Sequence, residues 1–313
     1  MATDADKRLA LLDEAIAEVA VAEYRRLAAR LSSREVSNRV NGALESLDSL
    51  KRGRQPNYDE WDALFYLTWY QPRHVHLIYT LLHHGTRDFP ALSQVIDIGC
   101  GAGATQVALA FSMADQPSRS GAVDVSVHGI DPSRPMRAIG KALWLALRHR
   151  AERDPDLGGL GKVMADMSAR CASYGSYEAY AASPSAVAAK IAGHPHWLTA
   201  VHAVYEKTKS ELRRLLAEVS ADREPEGILV TCDDGKEGLL DHVLEVLGGS
   251  LESRQIKPIW RGPLRCTTSW RRWVRADLDS PSELCRNYLK GQVRWDPIGN
   301  PIEKDVARVW GTQ

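Results

Sequence analysis

Val95-Ile96-Asp97-Ile98-Gly99-Cys100-Gly101-Ala102-Gly103 is the stretch that decides the fold. A short apolar strand broken only by Asp97 runs into a turn with three glycines, and Ala104 to Ala114 then carries a helical pattern. Strand, glycine turn and helix form the opening unit of a doubly wound α/β sheet. Glycine has no Cβ and tolerates positive φ, so such a turn lets a nucleotide-like ligand approach the backbone. The residues also fit G-x-G-x-x-A through Gly99, Gly101 and Ala104, and a dinucleotide is therefore a competing occupant. Asp97, two residues before the first glycine, favours a ligand that brings an ammonium, since a carboxylate beside a pyrophosphate is repelled.

Toward the C-terminus the pattern repeats. A second strand is expected from Val123 to Ile130, ending in Asp131, with a helix from Arg134 to Arg150. Two βα units in succession require a parallel sheet. Asp131 ends its strand where a carboxylate can accept hydrogen bonds from both hydroxyls of a ribose. A third strand is expected over Lys162–Ala165 with Asp166 at its end, and the Tyr-, Ala- and Ser-rich stretch 167–195 reads as a helical insertion able to form a lid. Strand Trp197–His202, helix Tyr205–Val219 and strand Gly227–Thr231 continue the alternation, and Arg254–Trp260 with Thr267–Arg275 reads as an antiparallel pair completing the sheet.

Toward the N-terminus the alternation disappears. Leu9, Leu12, Ile16, Val19, Ala20, Tyr24 and Leu27 recur at helical spacing, a basic bridge follows around Lys51–Asn57, and an aromatic helical run from Tyr58 to His83 is broken at Gln71-Pro72. The expected organisation is a helical cap over 1–90, a nucleotide-binding domain over 91–275 and a tail over 276–313.

The chain has 313 residues, 44% hydrophobic and 26% charged, with a formal net charge of zero, so nothing global calls for a polyanionic partner. The charge is unevenly spread: from Arg254 onward twelve Lys or Arg face six Asp or Glu. The five cysteines include no C-x-x-C pair, which speaks against a metal site or disulfide framework and for a reducing compartment. No stretch reaches the ~18 apolar residues of a membrane span. A soluble, cytoplasmic protein without metal is expected, and a homodimer is compatible with these features.

VIDIGCGAG at Val95–Gly103 with HGIDPS at His128–Ser133 resembles motifs I and II of the class I S-adenosylmethionine (SAM)-dependent methyltransferases, over residues 90–275. The resemblance implies a Rossmann-like sheet with helices on both faces and SAM as cofactor. It implies that Asp97, Gly99, Cys100, Gly101 and Gly103 cradle the methionine and ribose ends, that Asp131 beside Pro132 binds the ribose, and that Asp166 faces the adenine amino group. It places the acceptor at the carboxyl end of the fourth strand, Ala200 to Glu206, where His202 is the candidate base. Glu206, one helical turn on, would orient it beside Tyr205. In the alternative reading, His202 simply packs on the sheet and Glu206 starts the helix.

No [DN]-P-P-[FYW] follows the fourth strand and no Pro-Cys pair occurs, which weighs against adenine-amino and cytosine-C5 methylation of nucleic acid. The expected acceptor is a small molecule. Tyr66, Tyr70 and Arg73 on the aromatic helices could reach it, as could Arg271 in Arg261–Arg275, which holds five arginines, two tryptophans and no acid. Those rings could equally pack the cap on the sheet, and those arginines could equally protect a sheet edge. Two alternatives keep the cofactor: an RNA-directed protein like the mitochondrial-type small-subunit assembly methyltransferase-like family, whose cysteine cluster is not apparent here, or transfer or cyclisation of the aminobutyrate moiety.

Overall fold

The computed structural model describes residues 4–51, 58–82, 94–115, 125–157, 159–192, 196–201, 203, 209–222, 225–233, 253–256 and 305–311. The chain opens with helices α1 (Asp4–Ala28), α2 (Ser33–Lys51), α3 (Glu60–Trp69) and α4 (Gln71–Thr80). Local chemistry sets their ends. Ser32 and Glu35 close a capping box before α2, and Asp59 accepts hydrogen bonds from the amides of Trp61 and Asp62 at 2.8 and 2.9 Å to start α3. Pro72 in the first turn of α4 fixes the break at Tyr70, as the sequence predicts.

The sheet is built from β1 (Gln94–Ile98), β2 (Ser126–Ile130), β3 (Ala172–Tyr174), β4 (His196–Val201), β5 (Gly227–Asp233), β6 (Ser253–Ile256) and β7 (Asp305–Gly311), in the order 3-2-1-4-5-7-6. β1 to β5 pair in parallel, while β7 runs antiparallel to both β5 and β6. Helices α5 (Ala104–Ala114), α6 (Arg134–Ala151) and α7 (Leu160–Ser168) join the strands on one side; α8 (Tyr177–Ala181), α9 (Pro184–Ala192) and α10 (Lys209–Asp222) follow β3 and β4.

Strand alternation feeds two cores. Val95, Val127, Trp197 and Leu229 point into a core shared with α1 to α7, whereas Ile96, Ile130, Leu198 and Ile228 pack with Tyr180 of α8 and Leu212, Leu216 and Val219 of α10. The N-terminal helices thus continue the helical layer over α5 and α6 and contribute to the same core.

Three expectations are corrected. Residues Lys162–Ala165 belong to helix α7, opened by Gly159 at φ +81°, with Leu160, Met164 and Met167 buried at helical spacing; Asp166 therefore lies on a helix and not at a strand end. The third strand is instead Ala172–Tyr174, so 167–195 is not wholly helical: its first part supplies the sheet edge. The antiparallel strand of the sheet is Asp305–Gly311, far beyond Thr267–Arg275, which lies outside the described residues; the end of the expected tail is part of the sheet. Helix α2 was not anticipated beyond its basic end.

Candidate cofactor and acceptor site

β1 stands between β2 and β4, and the connections leaving β1 and β4 go to opposite faces of the sheet. Open α/β sheets bind ligands at such a switch point, outside the carboxyl ends of the strands. The turn after β1 occupies it. Gly99, Gly101 and Gly103 have φ of +67°, +50° and +77°, a region where other L-residues are strained. The first two are also crowded. A Cβ on Gly99 would come within 2.7 Å of the Ala203 Cβ, and one on Gly101 would meet Met136 at 3.2 Å and the Tyr66 hydroxyl at 3.6 Å. Amides of Gly99 and Cys100 donate to the Ile130 carbonyl at 2.8 and 3.3 Å, tying the turn to the end of β2.

Asp131 completes that tie. Its Oδ2 accepts from the Gly101 amide at 2.9 Å and its Oδ1 from the Ser133 amide at 2.8 Å, while Ser133 caps α6. Burial pushes the Asp131 carboxyl above its ordinary value, opposed by those two amide bonds and by Arg137. Each oxygen keeps a further acceptor position. Pro132 is exposed beside it.

Asp97 is only 2% exposed. Thr199, its register partner on β4, donates a hydroxyl to Oδ1 at 2.7 Å. Burial drives the Asp97 carboxyl up to about 7, and the Thr199 hydroxyl only partly counters this. Among the described residues no cation pairs with it. The neighbouring Cys100 thiol is pushed well up by burial and then by Asp97 and Asp131, so it stays neutral.

The aromatic helices reach the same place. The Tyr66 hydroxyl, against Gly101, shares a hydrogen bond with His74 Nδ1 at 3.0 Å, and Gln71 Nε2 donates to the Ala102 carbonyl at 3.0 Å. Tyr70 stacks obliquely between Tyr66 and His74, with ring centroids 5.3 and 6.0 Å away. Arg73 is buried, 6% exposed. Thr199, Gln71 and His74 were not anticipated: Gln71 bonds the turn, Thr199 bonds Asp97 and His74 bonds Tyr66, each through tertiary packing alone. His202, Tyr205, Glu206 and Arg271 lie outside the described residues; Ala203, packed on Gly99, brings the segment after β4 to the turn.

Of the two occupants the glycines allowed, the sheet favours one. The dinucleotide-binding order 3-2-1-4-5-6 has no antiparallel strand between its fifth and sixth members, whereas β7 stands there here. The order 3-2-1-4-5-7-6 with β7 antiparallel is a Rossmann-like sheet of the class I methyltransferase type. No protein-family model matches the sequence, and no curated protein does. Among solved structures, the chain is similar to the methyltransferase domain of bacterial CtHen1, at 13% identity and TM-score 0.37 over 78% of this chain and 100% of that one. It is also similar to a cyclopropane-fatty-acyl-phospholipid synthase-like protein from Lactobacillus casei, at 14% identity and TM-score 0.37 over 77% and 92%. A third is the plantazolicin methyltransferase BamL, solved with a triazolic desmethylPZN analog and SAH, at 10% identity and TM-score 0.33 over 95% of this chain and 98% of that one. At such distances no substrate transfers to this chain, and its chemistry rests on its own residues.

Proposed function

We propose that the protein is a SAM-dependent methyltransferase acting on a small molecule. The observation that carries this is the Asp97 carboxylate, buried beside three left-handed glycines without a cation among the described residues. A buried carboxylate left without a counter-charge is costly, and a ligand that supplies an ammonium removes the cost. The residues present fit such a ligand: the three left-handed glycines make a tight turn beside Asp97, whose carboxylate would receive the ammonium, and Asp131 would accept the ribose hydroxyls. SAM, when bound, supplies an electrophilic methyl group on a sulfonium, which leaves as a neutral thioether.

The chain's own residues then have three tasks. The turn holds the reacting end in place, and placement alone supplies much of the rate of such a displacement. Helices α3 and α4 cover the turn at Gly101 through Tyr66, which keeps water out on that side. His202, oriented by Glu206 beside Tyr205, is the proposed acceptor of the proton released by an attacking oxygen, nitrogen or carbon. Tyr70 and Arg271 are proposed contacts of the acceptor. Arg73, although buried, is a further proposed contact.

The test is incubation with SAM labelled on its methyl carbon and a fractionated small-molecule extract. Label in a new product together with S-adenosylhomocysteine supports the proposal. Release of 5′-methylthioadenosine would instead assign transfer of the aminobutyrate moiety, and label in RNA would move the acceptor class.

A further inference from the structure

Helix α6 turns one ridge outward along its whole length: Arg134, Ala138, Lys141, Leu145 and His149 are exposed at three- and four-residue steps, and Glu152 follows at its end. The middle of this ridge is apolar. Leu145 is 48% exposed, one of two large hydrophobic side chains so placed among the described residues. Beside it a groove of about 440 Å³ runs between α6 and α1, lined in part by the small side chains of Ala22, Ala142 and Ala146. Leu145 therefore stands on an uncovered apolar strip over which another surface can approach closely.

The two ends of the ridge differ in charge. α6 holds five Arg or Lys and no acid. Arg148 pairs with Glu152 at 3.2 Å, and Arg150 with Glu14 and Glu18 at 2.7 and 2.8 Å, so the last turn is neutralised within the chain. Arg134 and Lys141, in the first half, have no ion pair among the described residues. Arg134 also stands in the first turn, where the helix dipole disfavours a cation. Just past the other end Glu152, Asp154 and Asp156 are exposed around Arg153, an excess of acid where the dipole disfavours anions. Basic, apolar and acidic segments in that order are self-complementary: a second copy laid antiparallel sets each basic end against an acidic one and apolar against apolar.

We propose that the exposed face of α6 joins two copies of the chain about a two-fold axis, α6 antiparallel to its mate. Leu145 lies beside the axis, and Arg134 and Lys141 of each copy meet the acidic end at Glu152 of the other. The 18 residues of α6 make a ridge about 27 Å long. A contact of one helix pair with its flanks is small for a specific interface, so a dissociation constant on the order of 10 µM is expected. Sedimentation velocity of the full-length protein over a wide concentration range around about 10 µM reads the equilibrium. The parent should dimerise reversibly, and Leu145→Glu should remain monomeric throughout, with the melting temperature of the parent monomer because the side chain is exposed. Lys141→Glu and Glu152→Lys should each weaken the dimer about tenfold, and the double substitution should restore it, since each end again meets the opposite sign. Should Leu145→Glu also lower the melting temperature, the charge reversal, confined to two exposed side chains, decides by itself. A parent that stays monomeric, a dimer indifferent to Leu145→Glu, or a double substitution no better than the single ones would each overturn the inference.

Discussion

Two carboxylates flank helix α5, and the protein treats them in opposite ways. Asp115, at the C-cap, sits where the helix dipole disfavours an anion. It is neutralised by Arg8 of α1, itself 2% exposed, and accepts the hydroxyl hydrogen of Tyr79 from α4. Asp97, before the turn that leads into α5, is more deeply buried and meets neutral hydroxyls, Thr199 at 2.7 Å and Thr105, with no cation beside it among the described residues. The first arrangement is complete and clamps the N-terminal helices onto the sheet layer. In the proposed function, a cationic ligand completes the second. On that reading, buried charge is paired where it serves the fold and left open where it would serve binding.

This contrast can be broken at either end. Arg8→Met removes the arginine that neutralises the largely buried Asp115 and should cost about 3–5 kcal/mol, a large part of total stability; chemical denaturation reads it, and a loss below about 1 kcal/mol would make the clamp ornamental. Gly99→Ala forces a side chain into the left-handed region and against Ala203; about 1–3 kcal/mol of strain is expected, with weaker SAM binding in the folded fraction.

The pH dependence sharpens the comparison. Asp97, raised to about 7 in the free protein, must ionise to receive an ammonium. SAM affinity should therefore fall about tenfold per pH unit below about 6.5 and level off above about 7.5. In the free protein the sign is reversed: a raised folded value favours the protonated form, so stability declines as pH climbs from the unfolded value near ~4 through about 7. Asp97→Asn should flatten that decline, measured as the melting temperature of variant against parent. The smallest effect is Tyr79→Phe, which removes the hydrogen bond to Asp115 and the long one from Arg8 while the Arg8–Asp115 ion pair remains, for about 1 kcal/mol.

The turn proposed as the cofactor site was legible because it is local. Asp97, the glycines and Asp131 lie at strand ends that β-alternation and glycine punctuation mark without help from the rest of the chain, and helix α5 has the expected limits. What tertiary contact decides was not legible. Nothing in sequence pairs Thr199 with Asp97, Arg8 with Asp115 or Tyr66 with His74. Two misses had a signal that went unused: Ser32-x-x-Glu35 is a helix start, and Leu160, Met164 and Met167 are too widely spaced for the strand assigned to Lys162–Ala165. The remote β7 had none, since a strand's partner in a sheet is not written in its own residues.

The central claim is that Asp97 awaits an ammonium, and calorimetric titration of SAM into the parent protein and Asp97→Asn tests it most directly. The account predicts one SAM per chain for the parent, and for the equally or more stable variant an affinity loss of roughly a hundredfold or more. Equal SAM binding by both proteins, or binding of NAD with none of SAM, would contradict it.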